Sequence, residues 1–228
     1  MGATNLVITI DGPAGSGKST IARFLAQEWG FLYLDTGALY RAVACKMMAS
    51  GLTADMPQDE LLPFLGATKI SLRQQKNGMS VFLDGEDVSA KIRTEEIAMM
   101  ASVVSALPVV REALLPVQRE CAHAGSVVAE GRDMGTVVFP QADFKFYLHA
   151  SAEERARRRY RELAEKDDKA DYEAIKESII LRDRQDTERD VAPLRVPEDA
   201  CVIDSSHITI TDVLKTINAV LRRGGFTP

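Results

Sequence analysis

Eight consecutive residues, Gly12-Pro13-Ala14-Gly15-Ser16-Gly17-Lys18-Ser19, have the composition and spacing to hold a polyphosphate. Glycines at the first, fourth and sixth positions let the backbone turn tightly and aim successive N–H groups at one point, a concave nest for an anion. A helix expected from about Ser19 to Trp29 adds the positive end of its dipole there. In this G-x-x-x-x-G-K-[ST] pattern the ammonium of Lys18 reaches the β- and γ-phosphates, and the Ser19 hydroxyl is a ligand for Mg²⁺. The candidate nucleotide-binding residues are therefore Gly12, Pro13, Ala14, Gly15, Ser16, Gly17, Lys18, Ser19 and Thr20. A nucleoside triphosphate such as ATP, with Mg²⁺, is the expected ligand.

Two more polar groups follow short apolar runs. Leu32-Tyr33-Leu34 leads into Asp35-Thr36-Gly37, and Val127-Val128-Ala129-Glu130 leads into Gly131-Arg132-Asp133. Asp, Gly and Thr are common after any strand, but an arginine directly behind a buried strand is unusual and marks Arg132 as a ligand candidate. Further on, Arg182, Asp186 and Arg189 are spaced by four and three residues, which places them on one face of a helix. Spacing alone allows either a solvated face of weak ion pairs, about 0.3–0.5 kcal/mol each, or a ligand-binding face. Arg155, Arg158 and Arg159 form a similar basic stripe.

The elements that must carry these residues alternate. The run Leu6–Ile10 reads as a strand ahead of the glycine-rich loop. Further strands are expected at 31–34, 126–130, 144–149 and 200–204, and helices at 38–50, 94–105, from 108, from 151, 171–190 and 211–223. Ser151 with Glu154 reads as a capping box. Short apolar strands separated by helices imply an α/β fold, a parallel sheet covered by helices on both faces. The pattern breaks between Thr53 and about Ile92. There a short helix at 59–65 precedes Lys69–Arg73 with period-two alternation, a hairpin signal at Lys76-Asn77-Gly78, a return strand at 79–83 and a turn at 84–86. This is a small antiparallel insertion. The two arginine-bearing helices over 151–190 suit a lid that excludes water from a transferring group.

Composition narrows the class. The chain has 228 residues, 46% hydrophobic and 27% charged, with a net charge of −5, which argues against nucleic-acid or membrane-surface binding. Cys45, Cys121 and Cys201 are few and scattered, as are His123, His149 and His207, so neither a disulfide framework nor a zinc site is expected. The early apolar run is too short for a signal segment and nothing approaches membrane-spanning length. A soluble cytoplasmic protein is the expectation, with a frayed tail at 224–228.

Taken together, these residues resemble the bacterial-type cytidylate kinases, P-loop nucleoside monophosphate kinases. The likeness runs over essentially the whole chain. It rests on Ile8–Pro13 leading into the loop, on Leu34-Asp35-Thr36-Gly37-Ala38-Leu39-Tyr40-Arg41, and on Gly85–Ser89 with Ile92-Arg93-Thr94. Val110–Leu114, Gly131 through Pro140, Arg182-Asp183 through Asp186 and Arg189, and Ala192-Pro193-Leu194 complete it. The resemblance implies a P-loop NTPase fold with an inserted monophosphate-binding subdomain (53–105) and a helical lid (151–190). It implies transfer of the γ-phosphoryl group of ATP to CMP or dCMP, and a monomer. Thr36, Arg41, Arg132 and Arg189, with Asp35 beside them, would hold the acceptor phosphate. Ser102, Arg111 and Asp133 would read the cytosine edge, and Arg182 and Asp186 the sugar. Lys18, Arg132, Arg189 and a lid arginine, one of Arg155, Arg158 and Arg159 with Arg158 preferred, would stabilise the group in transfer. Glu130 stands where many relatives have Asp, in a place to orient Mg²⁺-bound water, and Thr36 stands where many have Ser. Other small P-loop kinases (for thymidylate, shikimate or gluconate) and a nucleotide switch are the competing readings. The chain lacks the Asn-Lys-x-Asp guanine motif of GTPase switches.

Overall fold

The computed structural model describes residues 5–75, 78–165 and 170–226. Five parallel strands form the main sheet: β1 (Val7–Asp11), β2 (Leu32–Asp35), β6 (Val127–Gly131), β7 (Phe144–His149) and β8 (Cys201–Asp204), in the order β2-β6-β1-β7-β8. β1 is central, pairing Ile10 with Glu130 on one side and with Phe146 on the other. Parallel neighbours require crossovers, which the helices α1 (Lys18–Trp29), α2 (Thr36–Ala49), α5 (Pro108–Ala124), α6 (Ala152–Ala164) and α7 (Tyr172–Glu188) supply with their partners α3 (Gln58–Gly66) and α4 (Glu95–Val104), while α8 (Ile210–Arg223) follows the last strand.

Local chemistry sets most helix starts. Asp35 accepts from the Ala38 N–H, Thr94 from Ile97, Asp171 from Glu173 and Ala174, and Thr209 forms a reciprocal capping box with Asp212. At the predicted Ser151 box, Ser151 accepts from the Glu154 N–H. Pro108 opens α5, where its missing N–H has no intrahelical partner to lose.

The sheet is buried on both faces. Ile8, Ile10, Phe146 and Leu148 pack with Ile21 and Leu25 of α1 and Ile217 and Leu221 of α8, all essentially inaccessible. Leu34, Val127, Ala129 and Met134 form a further core around β2 and β6. Each fully buried large side chain contributes roughly 1.5–3 kcal/mol. Arg155 is buried as well, and its guanidinium holds the Asp183 carboxylate at 2.9 and 2.5 Å and the Ala14 carbonyl at 3.1 Å. That contact ties α6 to α7 and to the glycine-rich loop.

The insertion forms a second sheet of three antiparallel strands: β3 (Ile70–Gln75), β4 (Gly78–Leu83) and β5 (Glu86–Asp87). β5, a two-residue strand, begins at Glu86 where sequence placed a turn. The predicted turn at Lys76-Asn77 lies outside the described residues. Leu61, Val81 and Leu83 of this region share a core with Leu39, Val43 and Met47 of α2 and Val110 and Leu114 of α5. Among the described residues no single helix is long and apolar enough to cross a membrane.

Candidate active site

The carboxyl ends of β1, β2 and β6 open into one cavity of about 670 Å³, walled on the far side by α4, α6 and α7. That is where a parallel sheet places its ligands. The cavity is lined by Ala14, Gly15, Lys18 and Ser19 from the loop, by Asp35, Thr36 and Arg41, by Ser102 and Arg111, by Glu130, Arg132 and Asp133, and by Arg182, Asp186 and Arg189. Residues far apart in sequence therefore meet at one place.

The loop's shape follows from its contacts. At Gly12, φ is +147° and a Cβ would lie 2.0 Å from the Leu148 carbonyl oxygen of β7, so only glycine fits. Lys18 is buried, and its Nζ donates to the Pro13 carbonyl at 2.7 Å. Burial and the neighbouring Arg132 guanidinium push its ammonium down to about 7, against the pull of Glu130.

β2 and β6 supply the next group. The Thr36 hydroxyl donates to the Glu130 carbonyl at 2.7 Å, leaving its oxygen as an acceptor toward the cavity. Asp35 caps α2 and receives Arg41 Nη2 at 2.8 Å. The Glu130 carboxylate is buried and accepts the Tyr33 hydroxyl at 2.6 Å; burial and the nearby Asp35 raise its pKa, while Lys18, Ser19 and Tyr33 lower it. The exposed Ser19 hydroxyl with the Glu130 carboxylate behind it is a hard-oxygen donor set of the kind Mg²⁺ uses with substrate phosphates. No group of three or more metal-ligating side chains occurs among the described residues.

Two acid–base pairs line the cavity. Arg132 donates Nε to Asp186 on α7 at 2.6 Å. Burial raises the Asp186 pKa, but Arg132 in contact outweighs it and leaves the carboxyl below its ordinary value. The Arg111 guanidinium bonds the Asp133 carboxylate directly, donates to the Ser105 carbonyl at 3.0 Å, and lies over the Tyr40 ring at 5.5 Å. Burial lifts the Asp133 carboxyl, opposed by Arg111 and Arg189. Ser102 Oγ lies 3.4 Å from an Asp186 carboxylate oxygen.

Three features depart from the sequence expectations. Arg189 does not share a helical face with Arg182 and Asp186, because α7 ends at Glu188. The chain turns back there through Ala192, at φ +49°, so that Leu194 N–H bonds the Asp186 carbonyl. Arg189 still reaches the site: it donates to Ser105 Oγ at 2.9 Å and comes within 3.8 Å of Asp133. Arg158 does not line the cavity. Its guanidinium is held by Glu154 and by the Ser205 backbone carbonyl, whereas Arg159, one residue on, lines the cavity and pairs with Glu95 of α4 at 2.9 Å.

The third is Asp11, which sequence reading passed over. It is fully buried at the end of β1, and its carboxylate accepts the backbone N–H groups of Met134 and Gly135 at 2.8 and 2.7 Å. Burial pushes it up to about 7 despite those two bonds. A carboxylate closing an otherwise apolar strand was the available signal. Ser105, whose hydroxyl and carbonyl serve Arg189 and Arg111, had no such signal.

The sequence pattern of the family described as "Cytidylate kinase" matches residues 8–223. A cytidylate kinase of Pelotomaculum thermopropionicum is 48% identical over 219 residues, covering 95% of this chain and 96% of its own. Those of Caldanaerobacter subterraneus and Citrifermentans bemidjiense are 46% and 44% identical, each over 95% of this chain and 94% and 93% of their own. A site with a polyphosphate loop at one end and paired arginines and carboxylates at the other, inside a match of this length, makes the chain a member of the cytidylate kinase family.

Proposed function

We propose that the chain transfers the γ-phosphoryl group of ATP to CMP or dCMP, giving ADP and CDP or dCDP, by positioning and cationic stabilisation without a general base. The observation that carries this is that one cavity is lined both by Lys18 and the loop and by the Arg111–Asp133 pair. The acceptor needs no base: a phosphate monoester has a second pKa of about 6 and is already largely dianionic at neutral pH. The obstacle is bringing two polyanions together, which calls for in-line placement and positive charge.

Lys18 and the loop amides hold the donor phosphates. Thr36, Arg41 and Arg132 hold the acceptor phosphate, with Arg189 reaching toward it from beside Asp133. Ser102, Arg111 and Asp133 take the base, and Arg182 and Asp186 the sugar. Cytosine presents an amino donor where uracil presents a carbonyl; a carboxylate paired to Arg111 accepts from the first and repels the second. Ser19 and Glu130 would hold Mg²⁺, which supplies charge neutralisation between the phosphates. The lid arginine is Arg159 rather than Arg158, since Arg159 lines the cavity. The insertion (53–105) serves as the monophosphate-binding subdomain and 151–190 as the lid. One chain supplies both donor and acceptor residues, so a monomer suffices.

The decisive experiment is ADP release with ATP and Mg²⁺ alone and with CMP, dCMP, UMP, dTMP, shikimate or gluconate. Turnover with CMP and dCMP well above the others is expected. Turnover indifferent to the acceptor, or greatest with a non-cytidine acceptor, overturns the reading.

A further inference from the structure

The turn that follows Gly131-Arg132-Asp133 is a single wide turn, Met134–Val138, closed by Val138 N–H to the Asp133 carbonyl and Phe139 N–H to the Met134 carbonyl. Such a turn leaves its leading N–H and trailing carbonyl groups without partners of its own. Here side chains from two other elements take both ends. Asp11, on β1, receives the leading amides of Met134 and Gly135. Arg119, on α5, donates Nε to the Val138 carbonyl at 2.9 Å and Nη2 to that of Val137 at 3.2 Å. The packing leaves no slack: a Cβ on Gly135 would lie 2.9 Å from Pro197 Cγ and 3.1 Å from Thr9 Oγ1.

Asp11 is also the residue immediately before Gly12. The same residue whose backbone feeds the donor loop therefore grips, through its side chain, the segment that presents Arg132 and Asp133. A buried carboxylate is costly, and a Ser or Asn could bond one amide; only a carboxylate accepts from two successive N–H groups with both oxygens.

We propose that Asp11 is a positioning residue that fixes the acceptor-reading segment Arg132-Asp133 relative to the donor loop, with Arg119 holding the far end of the same turn. It touches neither nucleotide. Its effect is on where the Arg132 guanidinium and the Asp133 carboxylate stand. This inference rests on the CMP kinase reading above.

The test is steady-state kinetics with CMP and UMP, and thermal unfolding, on the full chain and on Asp11→Asn. Asparagine keeps the size but sets an NH₂ against one of the two N–H donors. The expected result is a fall in kcat/KM for CMP of about tenfold or more, a narrowed CMP-over-UMP preference, and a KM for ATP within about twofold of wild type. A lowered Tm with unchanged kinetics at a permissive temperature assigns Asp11 a structural role only and overturns the proposal. A KM for ATP that rises as much as that for CMP assigns it to the shape of the donor loop, and also overturns it. If Asp11→Asn does not fold, Arg119→Ala at the exposed end of the clamp decides. A narrowed CMP preference supports the proposal and an unchanged one overturns it. A wild-type chain without CMP-dependent ADP release would instead remove the underlying reading.

Discussion

Asp186 takes Nε of Arg132 at 2.6 Å across 54 residues of chain, joining the end of β6 to α7. With Nε engaged by a fixed carboxylate, the guanidinium is held in one plane and its remaining N–H groups are aimed rather than free. The pair is a positioning device as well as a charge pair.

Asp186→Asn should lower kcat/KM for CMP by roughly 10²-fold, through misplacement of Arg132 as well as loss of the proposed sugar contact. Combined with Arg132→Met, the losses should be non-additive by about 0.5–3 kcal/mol. Strictly additive kinetics in the double-mutant cycle would show that the two residues act independently.

Asp133→Asn should cost about 10–100-fold in kcat/KM for CMP, the 1–3 kcal/mol of a mispaired buried group, and much less for UMP. Equal losses with both acceptors would remove Asp133 from base recognition. Because burial raises its pKa above 3.8, the acceptor form exists above that raised value and is lost as pH falls through it. The CMP-over-UMP ratio of the wild type should therefore narrow on acidification, and that of Asp133→Asn should not follow.

Burial and Arg132 push the Lys18 ammonium down to about 7, so it gives up its proton more readily than a free lysine until a polyphosphate arrives. The triphosphate favours the charged ammonium, so binding at pH 8 should take up a proton and affinity should weaken as pH rises above about 7. Calorimetry in buffers of different ionisation enthalpy reads this directly. A buffer-independent enthalpy, or proton uptake that persists in Lys18→Met, would contradict the assignment.

Arg158 and Arg159 separate by their contacts. Arg159→Ala should reduce kcat by about 10²-fold if its charge meets the transferring group. Arg158→Ala should act mainly on stability, by about 1–2 kcal/mol for its lost bonds to Glu154 and Ser205. The opposite pattern in kcat and Tm would restore Arg158 to the site.

What sequence revealed here was what local chemistry determines. The loop at 12–19, the strand at 144–149 and the cap at Ser151 each depend on a few neighbouring residues, and each stands where its pattern put it. Helical spacing grouped Arg155, Arg158 and Arg159 but did not say which way each would look. That depends on α7, whose Asp183 claims Arg155, and on the loop after β8, whose Ser205 claims Arg158. Arg189 left its expected face because the residues beyond a helix decide where it stops, here Ala192 and Pro193. The carboxylate closing β1 marks Asp11 in the sequence, but its partners lie 123 and 124 positions away, where no local pattern can name them.

The strand order carries one more consequence. β6 lies between β1 and β2, so the donor loop rises from one strand, Thr36 from the next but one, and Arg132 from the strand between. Paired strands stand about 4.8 Å apart, so the strand ends that carry the loop and Thr36 are separated by two spacings, about 10 Å. The backbone ladder thus serves as a ruler between those two strand ends, and the side chains rising from them must close the remaining distance to the about 3–3.5 Å of an in-line attack. Side-chain substitutions can tilt or discharge the groups at either mark. Only a change in strand pairing can move the marks themselves.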